Sequence, residues 1–135
     1  MQQHILQLDI VSPERSVFSG HVHMVEVPGA MGDFGVLPNH APCMSLLRAG
    51  VIRIHTYGEH IKKFFVADGY AEVNETGCTI LSEHMEDLED ISRADALEAL
   101  TQAKTVLGKA VGEAEIAKAL KLVDQTEALV AAVHG

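Results

Sequence analysis

The hydrophobic period of this chain changes once, and that change restricts the fold more than any other feature. Up to about residue 82 apolar residues alternate with polar ones; beyond residue 92 they recur every three or four positions. Leu6, Leu8 and Ile10 alternate with Gln7 and Asp9, the period of a strand with one buried face. Ser12-Pro13-Glu14-Arg15 breaks that run, and Phe18-Ser19-Gly20 reads as a second break before the looser alternation of His21 to Val27. Further strands are predicted at Cys43–Leu47, Val51–Thr56, Ile61–Ala67, Tyr70–Val73 and Cys78–Ser82. Between them stand the turn Arg48-Ala49-Gly50, a hairpin loop at 57–60, Asp68-Gly69 and Asn74–Gly77. Short strands spaced by polar, glycine-containing turns predict an all-β domain, an antiparallel sandwich or barrel, over residues 1–84.

The acidic run Glu83–Asp90 has neither a turn glycine nor strand alternation and reads as the junction. Ser92, with Asp95 three residues on, has the form of a helix N-cap. Leu97, Leu100 and Leu107 follow at helical spacing, with Ala96, Ala99, Ala103 and Ala110 near the same side. Gly108 and Gly112 interrupt the pattern. Ile116, Leu120, Val123, Val130 and Val133 mark a second helix, broken in expectation near Gln125-Thr126. Two such helices with a short break predict an antiparallel α-helical hairpin over 85–135, its alanine seam allowing close approach.

Charge excludes two classes of partner. The net charge of −9 opposes binding to nucleic acid, whose phosphates need cations, and docking on anionic lipid. The acid excess is uneven: residues 1–82 carry −3 and residues 83–135 carry −6. The start, MQQHILQLDI, lacks the basic-then-apolar pattern of a cleaved signal, and no apolar run reaches the length of a membrane span. Cys43 and Cys78 form no CxxC pair and are expected to be small buried or half-buried side chains.

The most unusual run is PGAMGDFGVLPNHAP, residues 28–42. It is no phosphate cradle, because GxxxxGK[ST] is absent and the glycine series leads into Pro38 rather than into a helix. There is no GxSxG and no HExxH, and the proximity of His40 to Cys43 lacks a third member for nucleophilic catalysis. His21 and His23 would share one face of a strand, but two imidazoles do not make a zinc site; they read as exposed polar side chains. No cofactor and no catalytic set is expected. What remains is a stiff loop whose glycines permit close backbone approach, with Asp33 and His40 as polar points upon it. It suits a docking surface as well as a plain crossover between sheets.

Phe18-Ser-Gly20, Val27-Pro-Gly29, the block Gly32-Asp-Phe-Gly-Val-Leu-Pro-Asn-His-Ala-Pro42, Gly50-Val-Ile-Arg-Ile54 and Gly69-Tyr-Ala-Glu-Val73 follow one another in a familiar order. In this respect the chain resembles the epsilon subunits of F-type, rotary ATP synthases over nearly its whole length. The resemblance implies an N-terminal β-sandwich, a C-terminal helix hairpin and a non-catalytic role. It implies a place in the central stalk, on the gamma subunit and the membrane-embedded c ring, where rotation driven by protons is passed to the catalytic head. By residue match, Met31, Gly32 and Asp33 fall in the ring-facing region, and His40 in the neighbouring block near gamma. The implied location is peripheral, on the cytoplasmic face of a bacterial inner membrane, without direct membrane insertion.

In this family the hairpin can extend along gamma towards the beta subunit and brake ATP hydrolysis, and some members bind ATP on the folded hairpin. Asp90, Arg93 and Ala94 match the start of that nucleotide pattern. Glu89 takes its hydrophobic place, and Glu98, Leu100 and Ala103 stand where bases are needed. Without those cations a triphosphate loses its charge-assisted partners, so ATP sensing is not expected. For braking contacts the tail offers Lys104, Lys109, Lys118 and Lys121 besides Arg93, against eleven acids, which predicts a weak brake at most. The competing readings are a free-standing ligand-binding or metal-dependent β-sandwich protein, and a helical-hairpin adaptor. Neither accounts for the glycine-proline block.

Overall fold

The computed structural model describes residues 5–58 and 60–134. Glu59, in the expected 57–60 loop, and the chain ends lie outside the described residues. Ten strands come first: β1 Leu6–Val11, β2 Ser16–Val22, β3 Met24–Gly29, β4 Gly32–Val36, β5 Cys43–Leu46, β6 Gly50–His55, β7 Ile61–Val66, β8 Tyr70–Val73, β9 Gly77–Leu81 and β10 Met85–Asp87. They form two five-stranded sheets, ordered β2-β1-β9-β8-β5 and β10-β7-β6-β3-β4. This is the expected sandwich. β1–β2, β3–β4, β3–β6, β5–β8, β6–β7 and β8–β9 pair antiparallel, while β1 and β9, brought together from opposite ends of the domain, run parallel. The core lies between the sheets and is aliphatic: Leu6, Leu8, Ile10, Val25, Val27, Ile52, Ile54, Val66 and Ile80 are almost fully buried. The chain divides into two compact units after Glu86.

Several local expectations are corrected. Phe18-Ser19-Gly20 does not break a strand but lies inside β2, opposite Ile10, Asp9 and Leu8. Ser19 Oγ donates to Asp9 Oδ1 at 2.7 Å, and Phe18 packs against the core. The break falls at His23 instead, where the chain leaves the first sheet for the second. The inward phase resets there, from Val22 to Val25 and Val27. His21 and His23 therefore share no strand face. The acidic run is not wholly a junction: Met85–Asp87 closes the edge of the second sheet, and Leu88–Asp90 is a single 3-10 turn begun by the Asp87 carboxylate accepting from the Glu89 amide.

The helical unit holds α1, Arg93–Lys109, and α2, Glu113–His134. The Asp95 amide donates to Ser92 Oγ at 3.0 Å, so the cap forms as expected. Gly108 lies within α1; the break comes at 110–112, where Gly112 takes a φ of 88° that a side chain resists. α2 runs uninterrupted through Gln125-Thr126 because Thr126 is buried and returns its hydroxyl to the Leu122 carbonyl, at 2.6 Å, within the helix. With so short a connection, α1 and α2 pack as an antiparallel hairpin. The buried seam is Ala96, Ala103, Ala119, Val123 and Thr126, while Leu97, Ile116 and Leu120, expected on the inner stripe, are exposed. Small residues let the axes close up, so the larger ones are turned outward. Replacing Ser92 by alanine leaves the Asp95 amide without its cap. We expect α1 to lose about 1 kcal/mol, read as faster amide exchange in its first turn with the sandwich amides unchanged.

Cysteine placement is split. Cys78 is buried between the sheets, but Cys43 is exposed on β5, because that edge strand has no neighbour beyond it. Burial, with a smaller contribution from Cys43, pushes the Cys78 thiol up to about 12. Cys43 should therefore react with a thiol reagent at pH 8 in the folded chain while Cys78 reacts only on unfolding. Since the unfolded chain loses that proton first, stability should fall with rising pH between about 9 and 12, by about 1.4 kcal/mol per unit. Equal labelling rates for the two thiols would contradict this.

Candidate docking surface

The glycine-proline block builds one edge of the sandwich. β3 and β4 pair antiparallel down to Gly29 opposite Gly32, leaving Ala30-Met31 as a two-residue loop. Gly32 has a φ of 135°, and a Cβ on Gly29 would lie 2.5 Å from the Gly32 carbonyl oxygen and 2.9 Å from the Phe34 ring. Both glycines are thus required by the turn itself. At its tip Met31 is 99% exposed. Beside it the Arg48 guanidinium donates to the Asp33 carboxylate, and the Arg48 amide donates to the Pro28 carbonyl at 3.0 Å.

From the tip the chain runs along β4, turns through 37–42 and returns along β5, so that the Ala30 amide donates to the Leu46 carbonyl at 2.7 Å. Gly29 also bridges to Leu47. The two sheets are stitched together at this corner. His40 sits in the 37–42 connection, half-buried, its amide donating to Leu37 O at 3.2 Å and its Nδ1 2.6 Å from Ala41 O. Asn39 beside it adopts a φ of 65°. Met31, Gly32 and Asp33 therefore gather at one end of β4, and His40 lies at the other, separated by a five-residue strand about 16 Å long.

Between these ends lies a surface that sequence reasoning missed. On the outer face of the first sheet Leu46 is paired with Tyr70 and Tyr70 with Leu81, which in turn stands opposite Val11. Leu46 is 69% exposed, Met44, two residues before it, 67%, and Tyr70 37%. Leu37 adds a further exposed side chain. A cleft of about 530 Å³ opens beside this row, walled by Ala30, Leu46, Leu47, Tyr70 and Leu81, with Asp68 and Glu83 among its polar lining. Several large apolar side chains so close together on one edge mark an interaction surface rather than scattered exposure. The only sequence signal was Met44 and Leu46 at a spacing of two, and it could not say which face of β5 would meet water.

The remaining expected residues form no common site. Asp90 ends the 3-10 turn, and Arg93 and Ala94 open α1; all three are exposed. Lys104 and Lys109 on α1 and Lys118 and Lys121 on α2 are exposed as well. Among the described residues no three His, Cys, Asp or Glu side chains are placed to hold one metal ion. Among the same residues no helix is long and apolar enough to cross a membrane.

A family of ATP synthase delta/epsilon chains, defined by their beta-sandwich domain, matches residues 5–88. The ATP synthase epsilon chain of Rhodospirillum rubrum is 43% identical over 96% of both chains. That of Maricaulis maris is 43% identical over 92% of each. In fold, the chain resembles one in the mitochondrial ATP synthase of Euglena gracilis, a structure of OSCP, F1 and c-ring, with a TM-score of 0.85 and 22% identity over 99% of this chain and 84% of that one. A chain of the central stalk and c-ring of the Tetrahymena thermophila enzyme gives a TM-score of 0.69 at 10% identity.

Proposed function

Because the chain belongs to the delta/epsilon-chain family of ATP synthase, we propose that it is a non-catalytic subunit of the central stalk, coupling rotation of the proton-driven c ring to ATP synthesis in the catalytic head. The observation that carries this reading is the apolar row Met44, Leu46 and Tyr70, continuous with the cleft and adjoining the Met31 tip. A part that transmits torque must not slide. A turn held by two obligatory glycines, an Arg48–Asp33 pair and a corner stitched by backbone hydrogen bonds resists shear better than a free loop would. Met31, Gly32 and Asp33 face the c ring in this reading, while His40 and the apolar row meet the gamma subunit. The complex sits on the cytoplasmic face of a bacterial inner membrane, with this chain peripheral to it.

The helical hairpin serves coupling and brakes hydrolysis weakly or not at all. Residues 83–135 carry five Lys and Arg among eleven acids, a poor match for an acidic partner surface, and Asp90, Arg93 and Ala94 lack the following bases that a triphosphate needs. To test this, ATP hydrolysis is followed in a head and stalk stripped of this subunit, after adding the full chain or a chain ending at Asp90. The shortened chain keeps β10, whose Met85 packs on the core. Both should bind and give nearly equal rates. Slowing by the full chain alone would make the hairpin a working brake, and binding by neither would remove the stalk assignment.

A further inference from the structure

The methionines of this chain divide by exposure. Among the described residues Met24 and Met85 are half-buried. Met85 packs against the core, and the Met24 sulfur lies close enough to Gly35 that a Cβ there would meet it at 3.5 Å. Met31 and Met44 are the exposed pair, and the backbone keeps them so. Met31 tips the two-residue loop fixed by Gly29 and Gly32. Met44 is paired with Glu72 on the outer face of the first sheet, in phase with Leu46.

These two side chains belong to one surface. The Ala30 amide, directly before Met31, donates to Leu46 O at 2.7 Å. Met44 stands two residues before Leu46, roughly 7 Å along the strand. The tip and the apolar row thus each carry one exposed thioether. A thioether is a soft nucleophile that reacts without first losing a proton. Its lone pair attacks one oxygen of hydrogen peroxide, and the O–O bond breaks as the S–O bond forms. The sulfur-bound hydroxyl passes its proton to the displaced hydroxide, leaving a sulfoxide and water. Sulfur gives up two electrons and the peroxide accepts them.

We propose that Met31 and Met44 form an oxidation site that controls docking. The proposal rests on reading this surface as the one that meets the stalk and ring. In the free chain both sulfurs are open to a hydroperoxide. A sulfoxide on either is a polar group, which an apolar contact covers only at a desolvation cost. Once partners cover the surface, the sulfurs are shielded. Peroxide therefore blocks the entry of new subunits and spares complexes already built.

The test treats the full chain with hydrogen peroxide at pH 5. The exposed Cys43 beside Met44 is the competing target, and at this pH the thiolate that peroxide attacks is scarce. Mass spectrometry of peptides should find Met31 and Met44 gaining one oxygen each about fivefold or more faster than Met24 and Met85. The oxidised chain should bind the stripped head and stalk about tenfold more weakly, and methionine sulfoxide reductases of both epimer specificities should restore binding. A Met31→Leu/Met44→Leu chain, which retains Cys43, is compared with itself: whatever its starting affinity, peroxide should not lower it. In the assembled complex Met31 and Met44 should be protected. Undiminished binding after oxidation, equal oxidation of all four methionines, no protection on assembly, or a peroxide effect in the leucine variant would each overturn the proposal and leave the docking reading standing if the untreated chain binds. Failure of the untreated chain to bind would remove that reading and the proposal with it.

Discussion

Replacing Gly69 by alanine is expected to cost the sandwich about 3–5 kcal/mol, a large part of the stability of a domain this size. Gly69 joins β7 to β8 with a φ of 128°, where a side chain is strained, and an added Cβ would run into the Leu81 carbonyl oxygen with Ser82 Cβ only 3.0 Å off. Leu81 cannot easily retreat, because it belongs to β9 and is paired on both sides, with Val11 and Tyr70. Nor can Gly69, whose carbonyl accepts from the Leu47 amide at 2.9 Å. The midpoint of thermal unfolding should fall by about 15 °C or more. Gly58→Ala is the control: its φ is 87°, but nothing lies within 4 Å of the added carbon, so it bears the conformational cost alone, about 1 kcal/mol. Equal losses in the two variants would show that the Leu81 contact is not what demands glycine at position 69.

The second large effect is expected on assembly. Leu46→Asp should leave the fold intact, since that side chain is 69% exposed, yet weaken binding to the stripped head and stalk about 100-fold or more. Burying a leucine contributes about 1.5–3 kcal/mol, and a carboxylate forced into an apolar contact adds a desolvation penalty. Leu122→Asp on α2, an equally apolar change at a half-exposed site, should bind as the unaltered chain does. Pull-down of the two variants against the same stalk preparation measures both. If Leu46→Asp binds undiminished, the apolar row is not the anchor, and the docking surface must be sought at the Met31 tip alone.

Much of the fold was legible because a buried side chain imposes a period on its neighbours. Leu6, Leu8 and Ile10 could only be a strand with one wet face, and the strands from Val51 to Ser82 follow the same rule to within a residue or so of their ends. Expectation failed where the signal was ambiguous or depended on distant partners. Gly20 looked like a break, yet it is accommodated opposite Leu8. The polar pair Gln125-Thr126 looked like a helix end, yet Thr126 satisfies its hydroxyl within its own helix. Met85–Asp87 is too short and too acidic to read as a strand, and it becomes one because β7 has an open edge.

The candidate site divides in the same way. The block from Pro28 to Pro42 stood out by its residue types alone, because glycine and proline restrict a backbone whatever surrounds it. The row Met44, Leu46 and Tyr70 did not stand out, since an apolar side chain in a strand reads as core until the sheet on its other side is known to be missing. Met31 and Met44 were separate letters until the amide of Ala30 met the carbonyl of Leu46. The two periods, the helix cap and the stiff loop could be read from the chain alone, because each is set by forces acting within a few residues, and the acidic balance is a matter of composition. Tertiary structure alone decided which strands stand at an edge, which apolar faces stay wet and which methionines share a surface, because each depends on the pairing of segments far apart in the chain.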